Sequence, residues 1–119
     1  MENQNTHWSI LLEEVRELKA QGQKEEAYYI ARSIYESNTF RYDKAIHANY
    51  EHYIEEKVKF FLDLASLSMF VTDKPEQSIP YLDEALVLID GSESVRPYID
   101  LEEIKRTRRD YVQLAKNKS

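Results

Sequence analysis

The chain has 119 residues, the size of one domain with a modest core, and it contains no cysteine. Disulfides and thiolate metal sites are therefore excluded, and a reducing, cytoplasmic setting is expected. The net charge of −6 argues against a nucleic-acid binder, because neutralising phosphates requires a concentrated basic surface.

Two Gly and three Pro are too few for many short strands, and the abundance of Leu, Glu, Lys, Ala and Gln favours helix, so the expected fold is all-α, about five helices in one domain over 1–119. The opening MENQNTHWS has neither a basic region nor an apolar run, and no window approaches the roughly 20 apolar residues that span a bilayer. Neither export nor a membrane partner is expected.

Trp8, Leu11, Leu12, Val15 and Leu18 recur at three- and four-residue steps and predict a helix from about Thr6 to Gln21, closed by Gly22. A second helix follows almost at once, from about Lys24 to Ser37, with Ala27, Ile30, Ala31 and Ile34 inward, Tyr28 and Tyr35 on one flank, and Asn38 and Thr39 ending it. The pair forms a helical hairpin. After the linker TFRY, Asp43 is the expected N-cap of a long helix carrying Ile46, Tyr50, Tyr53, Lys57, Phe61, Leu64 and Ser68 along one side. From Phe60 the run FFLDLASLSMFV is apolar nearly all round, which marks a helix packed on several faces.

TDKPEQ interrupts that helix, and the proline in SIPYLDEALVLIDG bears on where the next one starts. A proline deep in a helix costs about 3 kcal/mol or more, whereas in the first turn its missing N–H would have been unpaired anyway. If Ser78 is the N-cap, Pro80 sits in the first turn and Leu82, Ala85, Leu86 and Ile89 follow up to Gly91; if Pro75 is the first helical residue, Pro80 is interior. The proline rule favours Ser78. SESVRPY is a loop, and Asp100 with Glu103 has the spacing of a capping box, so a final helix is expected over about Asp100 to Lys116. Its inner stripe is Leu101, Ile104, Tyr111, Leu114 and Ala115, with Arg106 and Arg109 turned outward.

The stretch FLDLASLSMFVTDKPEQSIPYLDEALVLID resembles a tetratricopeptide repeat: small Ala65 and Ser66 where the first helix is closely approached, small Ser78 opening the second, large Leu82, and Ala85 at the second close contact. LLEEVRELKAQGQKEEAYYIARSIYES resembles a second copy, with Ala27 in the place of Ser78. The two copies depart from the family pattern: Ala27 and Ser78 lie 51 residues apart, Asp90 stands where the turn proline would be, and Leu62 at the aromatic opening position. The resemblance implies stacked antiparallel hairpins and binding of another protein or peptide, without catalysis or a cofactor.

His47, Glu51, His52, Glu55 and Glu56 cluster locally, but His47 and His52 project to different sides and no zinc or di-iron ligand spacing is present. Arg41 and His47 resemble the arginine–histidine motif of helical ribonucleases of the HEPN type, with Tyr42 in place of the usual polar residue. No phosphate loop or Ser/His/Asp arrangement occurs.

Nine Tyr and four Phe are more than so small a core needs. Tyr50, Tyr53, Phe61 and Tyr111 lie on inner stripes, whereas Tyr29 projects outward among Glu25, Arg32 and Glu36, and Phe70 points away from the stripe of its helix. Residues 1–99 hold 10 Lys and Arg against 18 Asp and Glu, while residues 100–119 hold 6 against 4, so the last helix is the basic one. Tyr29, Phe70, Arg106 and Arg109 are therefore the candidate partner-binding residues. The expected function is a non-catalytic interaction module, adaptor or regulator, taking a partner helix or peptide; the alternative is a toxin- or defence-type ribonuclease using Arg41 and His47. A homodimer is also expected, because a short helical stack leaves apolar end faces.

Overall fold

The computed structural model describes residues 8–37, 50–91, 97 and 99–118, and among them are five helices and no strand. The fold is all-α. Contacts divide the chain into two compact units, Met1–Ile46 and His47–Ser119.

In the first unit, α1 (Trp8–Ala20) packs on α2 (Lys24–Glu36). Leu11, Leu12 and Val15 of α1 are buried, as are Ala27, Tyr28, Ala31 and Ile34 of α2, while Leu18 and Ile30 are half-buried at the edges of the stripe. Tyr28 is deeper than its flank position implied, and its hydroxyl accepts from Arg32 Nη1 at 3.3 Å. α2 ends one residue early, because Ser37 is extended and its hydroxyl donates to the Ile34 carbonyl at 2.8 Å.

The turn between α1 and α2 shows why glycine is needed there. Gly22 has φ +82°, its N–H donates to the Lys19 carbonyl at 3.0 Å, and the Gln23 N–H donates to the Leu18 carbonyl at 2.8 Å. This crossed pair of bonds is the Schellman closure, which satisfies two terminal carbonyls and requires a left-handed residue. A Cβ on Gly22 would meet nothing within 4 Å, so the obstacle to a side chain is torsional. The strain of about 1–2 kcal/mol in Gly22→Ala is partly offset by about 0.4–1 kcal/mol of reduced unfolded-state entropy, leaving an expected net loss of about 1 kcal/mol. Urea denaturation checks this, and Gly22→Asn should lose less; an unchanged midpoint for the alanine variant would contradict the left-handed closure.

In the second unit, α3 (Tyr50–Thr72) packs on α4 (Pro75–Asp90), and α4 packs in turn on α5 (Leu101–Lys118). Of the expected apolar run, Phe60, Phe61, Leu64, Ala65, Leu67 and Ser68 are buried, while Phe70 is exposed; earlier in the helix Ile54 and Val58, which the expected stripe did not include, are buried and Lys57 is half-buried. Ser66, one of the two small residues expected at the close approach, is exposed instead.

The start of α4 corrects the expectation that Ser78 is the N-cap. The helix begins at Pro75, with Lys74 as N-cap and Pro80 inside it. α3 stops through Asp73, whose φ is +54°; the Thr72 hydroxyl donates to the Ser68 carbonyl at 2.7 Å and accepts from the Lys74 N–H at 3.2 Å. This turn delivers a buried Pro75 directly into the first helical position, where proline is favoured. Ser78 is fully buried, and its hydroxyl donates across the helix pair to the Ala65 carbonyl at 2.8 Å, so it is unavailable as a cap. Pro80 removes the bond to the Glu76 carbonyl, but Pro80 and Glu76 both lie on the exposed side, where an unpaired carbonyl costs little.

α5 starts as the sequence implies, with the Glu103 N–H donating to Asp100 Oδ1 at 3.1 Å. Ile104 is buried and Leu101, Tyr111 and Ala115 are half-buried, whereas Leu114, expected on the inner stripe, is 41% exposed.

Candidate partner-binding surface

Two of the four candidate residues are exposed aromatics. Tyr29, 60% exposed, stands on the outer side of α2 next to Tyr28, their ring centroids 5.5 Å apart and the planes tilted by 55°. The neighbouring Arg32 is tied to Glu36 at 2.8 Å and to the Tyr28 hydroxyl, so the surface beside Tyr29 is held by an ordered polar pair. Phe70, 63% exposed, shares the outer side of α3 with exposed Lys59 and Ser66. At that exposure Phe70 is not enclosed by another of the described helices.

The basic helix separates into two kinds of cation. Arg108 is half-buried and pairs with Asp83 of α4 through both Nε–Oδ1 and Nη2–Oδ2 contacts, so it belongs to the packing of the unit. The hydrogen bond first, and the negative charge of Asp83 second, hold the Arg108 guanidinium even more firmly protonated than usual. Lys105, Arg106 and Arg109 are exposed and make no ion pair with Glu102, Glu103, Asp110 or any other described residue. They cover one turn of the outer side of α5. On the inner side, burial first and Asp110 second raise the Tyr111 phenol above its ordinary value, keeping it neutral at physiological pH.

Tyr29 belongs to the first unit; Phe70, Arg106 and Arg109 belong to the second. Within the second, Phe70 and the arginines lie on α3 and α5, the two helices that flank α4. The sequence reading did not single out Val87, which is 71% exposed on α4 between the buried Ala85 and Ile89. Its position on the outward stripe of Glu76, Pro80 and Asp83 was visible as a four-residue step from Asp83.

Arg41 and His47 lie outside the described residues, as do Asn38, Thr39, Asp43 and Ile46 and the side chains of Tyr50, Glu51, His52 and Tyr53. Among the described residues, no three His, Asp or Glu side chains are grouped to hold a metal ion, and no helix is long and apolar enough to cross a membrane. No family model, no curated protein and no solved structure matches the chain.

Proposed function

We propose that the chain is a non-catalytic protein–protein interaction module, an adaptor or regulator of helical hairpins stacked in a tetratricopeptide-repeat-like way, which binds an acidic helix or peptide of another protein. The observation that carries this reading is the pair of exposed guanidiniums, Arg106 and Arg109, which have no ion-pair partner among the described residues and lie on the one net-basic helix described in an acidic chain. Such a patch steers an oppositely charged partner chiefly by raising the association rate. Tyr29 and Phe70 support the reading as exposed aromatics that bury large area at low conformational cost.

The test uses amphipathic helical peptides of matched apolar content and either an acidic or a basic polar face, measured by fluorescence anisotropy at low and high salt. The acidic peptide should bind more tightly, salt should weaken it, and Arg106→Glu/Arg109→Glu should slow its association by roughly tenfold or more while circular dichroism stays unchanged. Equal binding of both peptides, or an association rate indifferent to the double reversal, would remove α5 as the docking helix and direct attention to Tyr29 and Phe70.

A further inference from the structure

α4 and α5 share a face on the side of the Asp83–Arg108 pair. On α4, Glu76, Pro80, Asp83, Val87 and Asp90 follow at steps of four and three residues and form one stripe; on α5, Leu101, Lys105, Arg108, Val112 and Lys116 do the same. Asp83 and Arg108, the middle members, are ion-paired with each other, and this sets the two stripes side by side. The face therefore has an acidic row along α4, a helix with no Lys or Arg, and a basic row along α5. Between the charges lie exposed Pro80 and Val87 and half-buried Val112, and half-buried Leu101 begins the basic row.

We infer that this face binds a second copy of the chain about a two-fold axis running parallel to α4 and α5. Rotation about that axis lays the acidic row of each copy over the basic row of the other and encloses the apolar residues interspersed in both rows. Rotation about the perpendicular axis in the same plane would lay like charge on like charge, so electrostatics selects the orientation. A partner of uniform charge gains against one row and loses against the other. A copy of the same face matches both at once.

The two-fold operation keeps every residue at its own height along the two helices, so the Asp83–Arg108 pair of one copy lies level with that of the other. The contact uses Val87 rather than Arg106, Arg109, Tyr29 or Phe70; Lys105 borders both faces, so the α4 reversal and Val87→Arg are the variants that test this contact apart from the acidic-partner site.

Two row-reversed variants test the inference by sedimentation equilibrium. One carries Glu76→Lys/Asp90→Lys and presents two basic rows; the other carries Lys105→Glu/Lys116→Glu and presents two acidic rows; both keep the Asp83–Arg108 pair. The parent should rise toward twice the monomer mass with concentration, each variant alone should self-associate at least roughly tenfold more weakly, and an equimolar mixture should recover a one-to-one dimer. A parent that stays monomeric at its highest soluble concentration overturns the inference. So does a dimer that both variants retain, or a mixture that stays monomeric while the parent dimerises. Should a reversed variant lose its helical circular dichroism, Val87→Arg at an exposed position replaces it, and a parent-like mass profile from that variant is equally fatal.

Discussion

Phe60→Ala is expected to lower the unfolding free energy by about 3–5 kcal/mol, the largest single effect among the substitutions considered. Among the described residues Phe60 is the largest fully buried side chain, and it lies on the broad apolar surface of α3, with the Phe61 ring 5.6 Å away and tilted by 59°. Truncation removes the transfer free energy of the ring and leaves a cavity that helices joined by two-residue turns close poorly. For a domain whose total stability is of the order of 5–15 kcal/mol, that loss shifts the urea midpoint far downward. Phe60→Leu keeps most of the volume and should lose less than about 1.5 kcal/mol. A truncation costing under about 1 kcal/mol would show that Phe60 is not enclosed.

Enlarging Ala85 tests the opposite failure. Ala85 is fully buried on the α4 stripe of Pro75, Ser78, Leu82 and Ile89, and the hydrogen bond from Ser78 to the Ala65 carbonyl shows how closely α3 and α4 approach on this side. Ala85→Leu adds a branched side chain at a fully buried position, and the expected loss is about 1–3 kcal/mol. Val87→Leu, two residues along but exposed, should stay within about 0.5 kcal/mol of the parent. Similar thermal midpoints for the two variants would mean that the small residue at position 85 is not there to permit a close crossing.

The helices of the first unit were legible because two independent signals agreed: the three- and four-residue recurrence of Leu11, Leu12 and Val15, and a glycine placed at the closing position. Asp100 was legible for the same reason, a cap residue immediately before an apolar stripe. The start of α4 was not, because the rule applied to Pro80 was local and the competing effects were not. Pro75 also offered a favourable first position, and the hydroxyl that marked Ser78 as a cap found its acceptor on another helix, at Ala65. Leu114 was placed on the inner stripe but is 41% exposed, because a wheel gives the direction of a side chain and not what lies there to cover it. Of the candidate site, the outward direction of Tyr29, Phe70, Arg106 and Arg109 followed from periodicity alone. Which cation of α5 would be taken up by packing did not, since that depended on Asp83, 25 residues earlier in the chain.

The Ser78–Ala65 hydrogen bond has a role beyond its own strength. Apolar stripes on two helices tolerate sliding: moving α4 along α3 by one turn, 5.4 Å, brings one aliphatic residue where another stood and changes the buried area little. A buried hydroxyl discriminates between such alternatives, because in the slid arrangement it loses its acceptor with no water at hand, a penalty of about 1–3 kcal/mol. Proteins use single buried polar groups in this way to choose one alignment among several that hydrophobicity alone would leave nearly degenerate. In this chain the choice is made thirteen residues apart, across a two-residue turn, so the correct alignment of α3 and α4 is selected while the contact is still local and before the rest of the chain must be in place.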